Sequence, residues 1–137
     1  MDKNFPTNTE ARYTALMGAS LGGLMTMYMG YERPEVFGRL GAISPTFCWS
    51  DGRIFEHWKQ RHPVFSRIYI DCGSEERIWL EDLFLDYPKY SQDFHDHLQA
   101  LGYQAHELKL VVEQGAHHHE IDWQRRFPSM IRWLLAD

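Results

Sequence analysis

The sequence predicts one α/β domain over residues 1–137, in which a mostly parallel sheet lies between layers of helices in a three-layer αβα arrangement. Short apolar runs that suit buried strands alternate along the chain with longer stretches of helical periodicity. The 137 residues are enough for one domain with a sizeable core. Hydrophobic residues make up 44% of the chain and aromatic residues 15%, which favours a compact globular fold over disorder.

Four short runs are predicted to be strands. The first is apolar enough to lie in the centre of a sheet. The third, Arg-Ile-Tyr-Ile-Asp-Cys, is rich in the β-branched and aromatic residues that strands favour. The predicted strands are 12–17, 40–44, 67–72 and 106–113.

Four longer stretches are predicted to be helices, at 20–31, 53–60, 90–101 and 122–135. The first stops before Pro34, the second is broken before Pro63, and the third is closed by Gly102 as its C-cap. The last is amphipathic, and its predicted apolar face consists of Trp123, Phe127, Ile131 and Leu134. Residues 73–89 are predicted to be a long connection, too apolar for a plain linker. Its part over 79–87 is either a lid or, as favoured here, a small satellite cluster.

Charge and cysteine content exclude several classes of partner. The formal net charge of −5 and the scattered lysines and arginines argue against binding of nucleic acid or an anionic membrane. Cys48 and Cys72 are predicted to be reduced, buried thiols, with a disulfide as the less favoured alternative. No stretch is long and apolar enough for a membrane span, and no signal peptide heads the chain. These features lean towards a cytoplasmic location.

The stretch Gly18-Ala19-Ser20-Leu21-Gly22 matches G-x-S-x-G, the pattern of a nucleophile elbow. It lies between the first predicted strand and the first predicted helix, where a sharp turn drives the serine towards positive φ. Glycines two positions to either side are expected to relieve the resulting crowding. Ser20 is therefore expected at the carboxyl edge of the sheet, at a helix N-terminus that can stabilise negative charge.

Two further loops follow predicted strands and carry the groups that a serine nucleophile needs. The third strand ends in an acidic loop, 71–76, and the fourth in a histidine-rich loop, 115–120. Because active groups collect at the carboxyl ends of parallel strands, the three loops are expected to meet. A serine hydroxyl becomes a good nucleophile when an imidazole takes its proton and an acid orients that imidazole. The order serine, acid, histidine is that of α/β hydrolases.

Five sequence blocks that together cover nearly the whole chain carry a resemblance to a known family: Met17 to Leu24, Pro34 to Gly38, Ser44-Pro45, Asp71 to Glu76, and Gly115 to Glu120 with Trp123. With these blocks in this order, the sequence resembles the putative-esterase family, which includes esterase D-like, enterochelin-type, feruloyl and acetyl-xylan esterases and the mycolyltransferases. The resemblance implies an α/β-hydrolase fold, hydrolysis of small-molecule carboxylic esters, and no cofactor.

The resemblance also implies roles for residues. Ser20 matches the nucleophile, and the family pattern in the acidic loop puts the acid at Glu76, with Glu75 and Asp71 as rivals. The family places its histidine a fixed step before a tryptophan, so Trp123 selects His118.

The remaining members of the histidine run have other predicted roles. His117 is the second choice for the base and otherwise a candidate for substrate binding, whereas His119 is expected to face solvent or line the pocket. A metal site built from the run and Glu120 is disfavoured, because consecutive side chains diverge and no H-x-x-x-H or H-E-x-x-H spacing is present.

Two residues near the elbow complete the predicted site. The backbone N–H of Leu21 is expected to donate to the oxyanion. Trp49, in the loop after the second strand, is a candidate wall of the substrate pocket, and a packed core tryptophan is the equal alternative.

Relatives of this family have several strands before the elbow, which here begins at residue 18, so the sequence is expected to be the C-terminal portion of a longer domain. An uncovered first strand would favour a homo-oligomer, and a missing second oxyanion donor would weaken catalysis. The alternative to an esterase is therefore a weak or inactive remnant that serves as an oligomerising or binding module. A transferase using an alcohol in place of water is a lesser variant.

Overall fold

The computed structural model describes residues 4–5, 7–61 and 67–136. Within these residues the chain forms six strands and four α-helices, which alternate except where three strands follow one another. The strands are β1 (Ala15–Ala19), β2 (Arg39–Ile43), β3 (Arg67–Gly73), β4 (Arg77–Leu80), β5 (Leu83–Asp86) and β6 (Leu108–Glu113). The helices are α1 (Leu21–Glu32), α2 (Arg53–His57), α3 (Tyr87–Ala100) and α4 (Glu120–Leu135), and short 3₁₀ turns cover Ala11–Tyr13 and Trp49–Gly52.

Four strands form one parallel sheet in the order β1-β2-β3-β6. Strand β2 and all but the first residue of β3 are buried, which explains their near-continuous apolar sequence. Parallel pairing brings the carboxyl ends of all four strands to one edge of the sheet. The predicted α/β class with a mostly parallel sheet is confirmed.

Helices cover both faces of the sheet. Buried side chains of α1, α2 and α3, among them Met27, Ile54 and Phe94, pack with Trp58 on one face. On the other face α4 packs Met130 and Leu134 against β2 and β3. The two cores give the predicted three layers.

The predicted connection 73–89 contains a β-hairpin that the sequence does not reveal. Strands β4 and β5 pair in antiparallel fashion, with Leu80 opposite Leu83 and a two-residue turn between them. Such turns need positive φ and usually contain Asn-Gly or Asp-Gly, but here Glu81 has the positive φ of 53°. Without that signal the two short strands look like an irregular apolar stretch.

Element ends differ from prediction where capping decides them. Helix α3 begins at Tyr87 and not at residue 90, because the Asp86 carboxylate accepts a hydrogen bond from Lys89 N at 3.0 Å and Pro88 fits the first turn. Strand β1 begins at Ala15 because a 3₁₀ turn occupies 11–13. The predicted break at Pro63 and residues 1–3 lie outside the described residues.

Both cysteines, Cys48 and Cys72, are free and buried, as predicted. Among the helices of the described residues, none has the length and apolar character needed to cross a bilayer.

Candidate active site

The elbow forms as a strained turn between β1 and α1. Ser20 has φ 55° and ψ −121°, a conformation that side chains rarely adopt. A Cβ atom at Gly18 would lie 2.4 Å from the backbone oxygen of Gly22, whereas a Cβ at Gly22 would meet nothing within 4 Å. The crowding predicted for both glycines therefore falls on Gly18 alone. A Cβ at Gly23 would come to 3.0 Å from Pro45, so this third glycine lets α1 approach the loop after β2.

The turn holds Ser20 beside a histidine from the loop after β6. Ser20 Oγ lies 3.0 Å from His118 Nε2 and 3.3 Å from Thr46 Oγ1. The imidazole packs between two aromatic rings, 4.3 Å from the centroid of Tyr87 and 5.0 Å from that of Trp123, which it meets edge to face. These rings restrict the imidazole to the orientation that points Nε2 at the serine.

The other imidazole nitrogen meets a buried carboxylate from the loop after β3. His118 Nδ1 lies 2.9 Å from Glu76 Oε2, and the glutamate side chain is fully buried. Because an ionised carboxylate only accepts, Nδ1 carries the proton of this hydrogen bond and Nε2 is free to accept from Ser20. The second carboxylate oxygen, Oε1, accepts from Gly73 N at 2.6 Å, Ser44 Oγ at 2.7 Å and Arg126 Nη2 at 3.2 Å.

A glycine lets the acidic and histidine loops come together. A Cβ at Gly73 would lie 2.2 Å from the backbone oxygen of Ala116, so only glycine fits this approach. The same carbonyl of Ala116 accepts from Glu75 N at 3.0 Å. The backbones of the two loops are thus joined one residue before Glu76 and two residues before His118.

The rival acids lie elsewhere. Glu75 is exposed and accepts from the hydroxyl of Ser74 at 2.9 Å. Asp71 is fully buried and accepts from Arg126 Nε at 3.0 Å. Burial raises the pKa of Asp71 to about 6, although the nearby Arg126 guanidinium lowers it. Of the three candidate acids, Glu76 is the one in contact with the imidazole.

The neighbouring histidines, His117 and His119, make other contacts. His117 is exposed, does not line the cavity beside Ser20, and donates its backbone N–H to Asp122 at 2.7 Å. His119 is the N-cap of α4, where its ring accepts from Ile121 N at 3.2 Å. Within the described residues, no three His, Cys, Asp or Glu side chains are grouped in a way that could hold a metal ion.

A cavity of about 400 Å³ opens beside Ser20. The hairpin β4–β5 supplies one wall and the loop after β2 supplies another, and Trp49 in that loop is 59% exposed. The predicted oxyanion donor Leu21 is the first residue of α1, where backbone N–H groups have no partner within the helix. The apolar lining consists of Leu21, Cys48, Trp49, Leu80, Leu83 and Leu85.

The sequence-based site lacks four polar residues that the structure brings to it. Ser44 and Thr46 follow β2, and Tyr87 opens α3, lines the cavity beside Ser20 and packs against the His118 ring. Burial raises the pKa of the Tyr87 hydroxyl, so it stays protonated and able to donate. The fourth is Arg126 on α4. The Ser-Pro-Thr run at the end of a predicted strand was a usable signal for the first two.

The predicted apolar face of α4 is partly wrong. The residues that α4 buries are Arg126, Met130 and Leu134, whereas Phe127 is 42% exposed. The prediction uses hydrophobic side chains alone and so takes no account of a buried arginine. The buried positions 126 and 130 therefore lie one residue before the predicted positions 127 and 131.

Comparisons with known proteins agree with this architecture. A family model described as "Putative esterase" matches residues 1–134. The chain is 28% identical over 136 residues to the Bacillus subtilis protein YbbA, covering 99% of this chain and 54% of that protein. It is 27% identical over 136 residues to an endo-1,4-β-xylanase/feruloyl esterase of Xylanibacter ruminicola, covering 98% of this chain and 16% of that protein.

A solved structure shares the fold. The enterochelin esterase of Shigella flexneri superposes with a TM-score of 0.79 at 20% identity, over 97% of this chain and 33% of that one. The chain thus spans about half the length of YbbA and smaller shares of the other two proteins.

Proposed function

Because the chain belongs to the putative-esterase family, we propose that it is a serine carboxylic-ester hydrolase working through an acyl-enzyme, with Ser20, His118 and Glu76 as its triad. The observation that carries the proposal is the pair of hydrogen bonds from Ser20 Oγ to His118 Nε2, 3.0 Å, and from His118 Nδ1 to Glu76 Oε2, 2.9 Å. These groups lie at the carboxyl edge of a parallel sheet, beside a cavity large enough for a small ester.

Each triad residue has a distinct part in the reaction. His118 Nε2 takes the proton from Ser20 Oγ as the oxygen attacks the ester carbonyl, and the resulting imidazolium is stabilised by the Glu76 carboxylate. The N–H of Leu21 donates to the oxyanion of the tetrahedral intermediate. His118 then returns the proton to the leaving alkoxide, which departs as the alcohol. Water, deprotonated by the same imidazole, releases the acid and restores Ser20.

The surroundings of the nucleophile suit an uncharged, largely apolar substrate. Among the described residues that line the cavity beside Ser20, leucine and tryptophan side chains supply most of the apolar wall, and Asp51 is the charged residue. A carboxylate on the substrate would therefore meet repulsion and no basic side chain there. The naming of one relative as a feruloyl esterase supports an ester as the substrate.

The proposal is tested by labelling the purified chain with a fluorophosphonate and by measuring its turnover of p-nitrophenyl acetate. We expect labelling and turnover with the native chain and neither with Ser20→Ala. Ser129→Ala, at an exposed serine of α4, is the matched control and should behave as the native chain does. A folded native chain that is neither labelled nor active would contradict the proposal and favour a non-catalytic binding module.

A further inference from the structure

Arg126 is a buried cation that the sequence places on an otherwise apolar helix face. It lies on α4, one turn after Trp123 and one turn before Met130, and only 5% of its surface is exposed. An arginine is rarely buried to this extent without paired charges. Its partners therefore indicate why the position is not apolar.

The guanidinium of Arg126 donates hydrogen bonds to four groups, and all three of its nitrogens take part. Nε donates to Asp71 Oδ1 at 3.0 Å, and Nη1 donates to Glu113 Oε2 at 3.3 Å. Nη2 donates to Ser44 Oγ at 2.7 Å and to Glu76 Oε1 at 3.2 Å. Asp71 and Glu113 account for the charge of Arg126, whereas Nη2 points at the acid that holds the histidine.

The contacts divide the two oxygens of Glu76 between two tasks. Oε1 receives Ser44 Oγ, Gly73 N and Arg126 Nη2, and Oε2 receives His118 Nδ1. With three donors on one oxygen, the carboxylate is fixed in position and in rotation. The second oxygen then remains in line with the imidazole.

Ser44 extends the reach of the arginine. Its hydroxyl accepts from Arg126 Nη2 and donates to Glu76 Oε1, so it bridges the guanidinium and the carboxylate and helps to fix the carboxylate in place. The serine is fully buried and has a φ of 43°, so the surrounding structure maintains a strained backbone at this point.

We propose that Arg126 is a positioning residue for the esterase proposed above, on which this inference rests: it holds Glu76 directly and through the Ser44 hydroxyl, so that Oε2 stays aligned with His118 Nδ1. A lysine could not replace it in full. Three nitrogens of one planar group reach separate partners here, whereas an ammonium is a single point.

A double-mutant cycle, measured in kcat/KM, tests whether Arg126 and Ser44 both act through the Glu76 carboxylate. We expect Ser44→Ala to lower kcat by roughly tenfold and Arg126→Met by somewhat more, with KM little changed, because a small misplacement of a catalytic group is enough for such losses. The double variant should lose clearly less than the product of the two single losses. Arg125→Met is the matched control, since Arg125 is the preceding residue, half-exposed, and paired with Glu113 and Asp122.

A spectroscopic measurement tests the same role without turnover. The proton on His118 Nδ1 should give a low-field NMR signal in the native chain because it is held in a short, partly buried hydrogen bond to the Glu76 carboxylate. We expect this signal to move upfield or broaden beyond detection in Arg126→Met and Ser44→Ala, and to remain in Arg125→Met. Arg126→Lys should give an intermediate result. Near-ultraviolet circular dichroism checks that each variant is folded.

The outcomes separate this inference from the proposed function. Multiplicative losses in the cycle, or an unchanged low-field signal in both Ser44→Ala and Arg126→Met, would overturn the positioning role. If the native chain is neither labelled nor active, the esterase proposal fails, while the NMR signal still decides whether Arg126 holds Glu76. Ser44→Ala keeps the test open should Arg126→Met fail to fold, because it removes one hydroxyl and leaves the buried charges paired.

Discussion

The two sides of Ser20 are built in different ways. On the side of Glu76, the proposed triad acid, both carboxylate oxygens are buried and bonded, and three elements contribute the donors to Oε1: the loop after β2, the end of β3, and α4. On the side of the cavity, the hairpin presents apolar side chains that are largely exposed, with Leu80 at 61% and Leu83 at 52%. One side is fixed by directional hydrogen bonds and the other is shaped by apolar surface.

The difference teaches where chemistry and selectivity reside. A buried network fixes positions to fractions of an ångström, as proton transfer requires, and each removed partner leaves an unsatisfied group. Apolar walls contribute free energy in proportion to the area they cover and tolerate changes in shape. Variants on the acid side should therefore change kcat strongly, and variants on the hairpin should change the preference among substrates.

Apart from loss of the nucleophile itself, the largest effect is expected for Glu76→Gln. An amide cannot stabilise the imidazolium as a carboxylate does, and it favours the wrong tautomer of His118, so kcat for p-nitrophenyl acetate should fall by roughly 10³–10⁴. Glu75→Gln makes the same chemical change at the adjacent, exposed carboxylate and should leave kcat within twofold of native. Equal effects of the two variants would contradict the difference between the two sides.

The next effect concerns stability and pH. Burial raises the pKa of Asp71 from an ordinary 3.8 to about 6, so between pH 4 and 6 the folded chain binds more protons at this group than the unfolded chain does. The contribution of Asp71 to the free energy of unfolding is therefore greatest below pH 4. It is lost as the pH rises through about 6, by up to about 3 kcal/mol.

Asp71→Asn isolates this titration because the other groups are the same in both proteins. The free energy of unfolding of the native chain minus that of the variant, measured with urea from pH 4 to 7, should fall as the pH rises and level off above about pH 6. Glu75→Gln, at an exposed site, should show no such trend. A pH-independent difference for Asp71→Asn would mean that the buried carboxyl does not titrate in this range.

Much of this architecture could be predicted from the sequence, because it follows from local signals. Runs of β-branched and apolar residues indicate the parallel strands, and the glycine spacing around Ser20 indicates the elbow. The spacing that the family keeps between its histidine and a tryptophan selects His118, whose ring contacts Trp123. Each of these signals lies within a few residues of the feature that it predicts.

The parts that could not be predicted depend on contacts between distant segments. Arg126 and Ser44 are hydrogen-bonded although 82 positions separate them in the sequence, and the residues around them contain no pattern that predicts this contact. The family resemblance pointed to Glu76, but the residues alone left Asp71 and Glu75 as rivals, because the choice depends on which carboxylate faces the imidazole and both Asp71 and Glu76 are fully buried. The hairpin has no local signal because its turn lacks the usual residues, and its place beside the serine depends on tertiary contacts.

The smallest effect, and the one that tests the cavity side, is expected for Leu83→Ala. The pairing of Leu80 with Leu83 and of Ile78 with Leu85 puts these side chains on one face of the hairpin, and three of them line the cavity; Trp79 and Phe84 share the other face. Leu83→Ala removes apolar surface from the cavity wall, and we expect a longer acyl chain to contact that surface and an acetyl group not to.

For Leu83→Ala, kcat/KM for p-nitrophenyl hexanoate should therefore fall by about fivefold, which corresponds to about 1 kcal/mol of lost apolar contact, while that for the acetate stays within twofold of native. Phe84→Ala, on the opposite face, should leave the ratio of the two esters unchanged. If Leu83→Ala reduced both esters equally, the hairpin would be acting on the triad itself, and the two sides of Ser20 would not be independent.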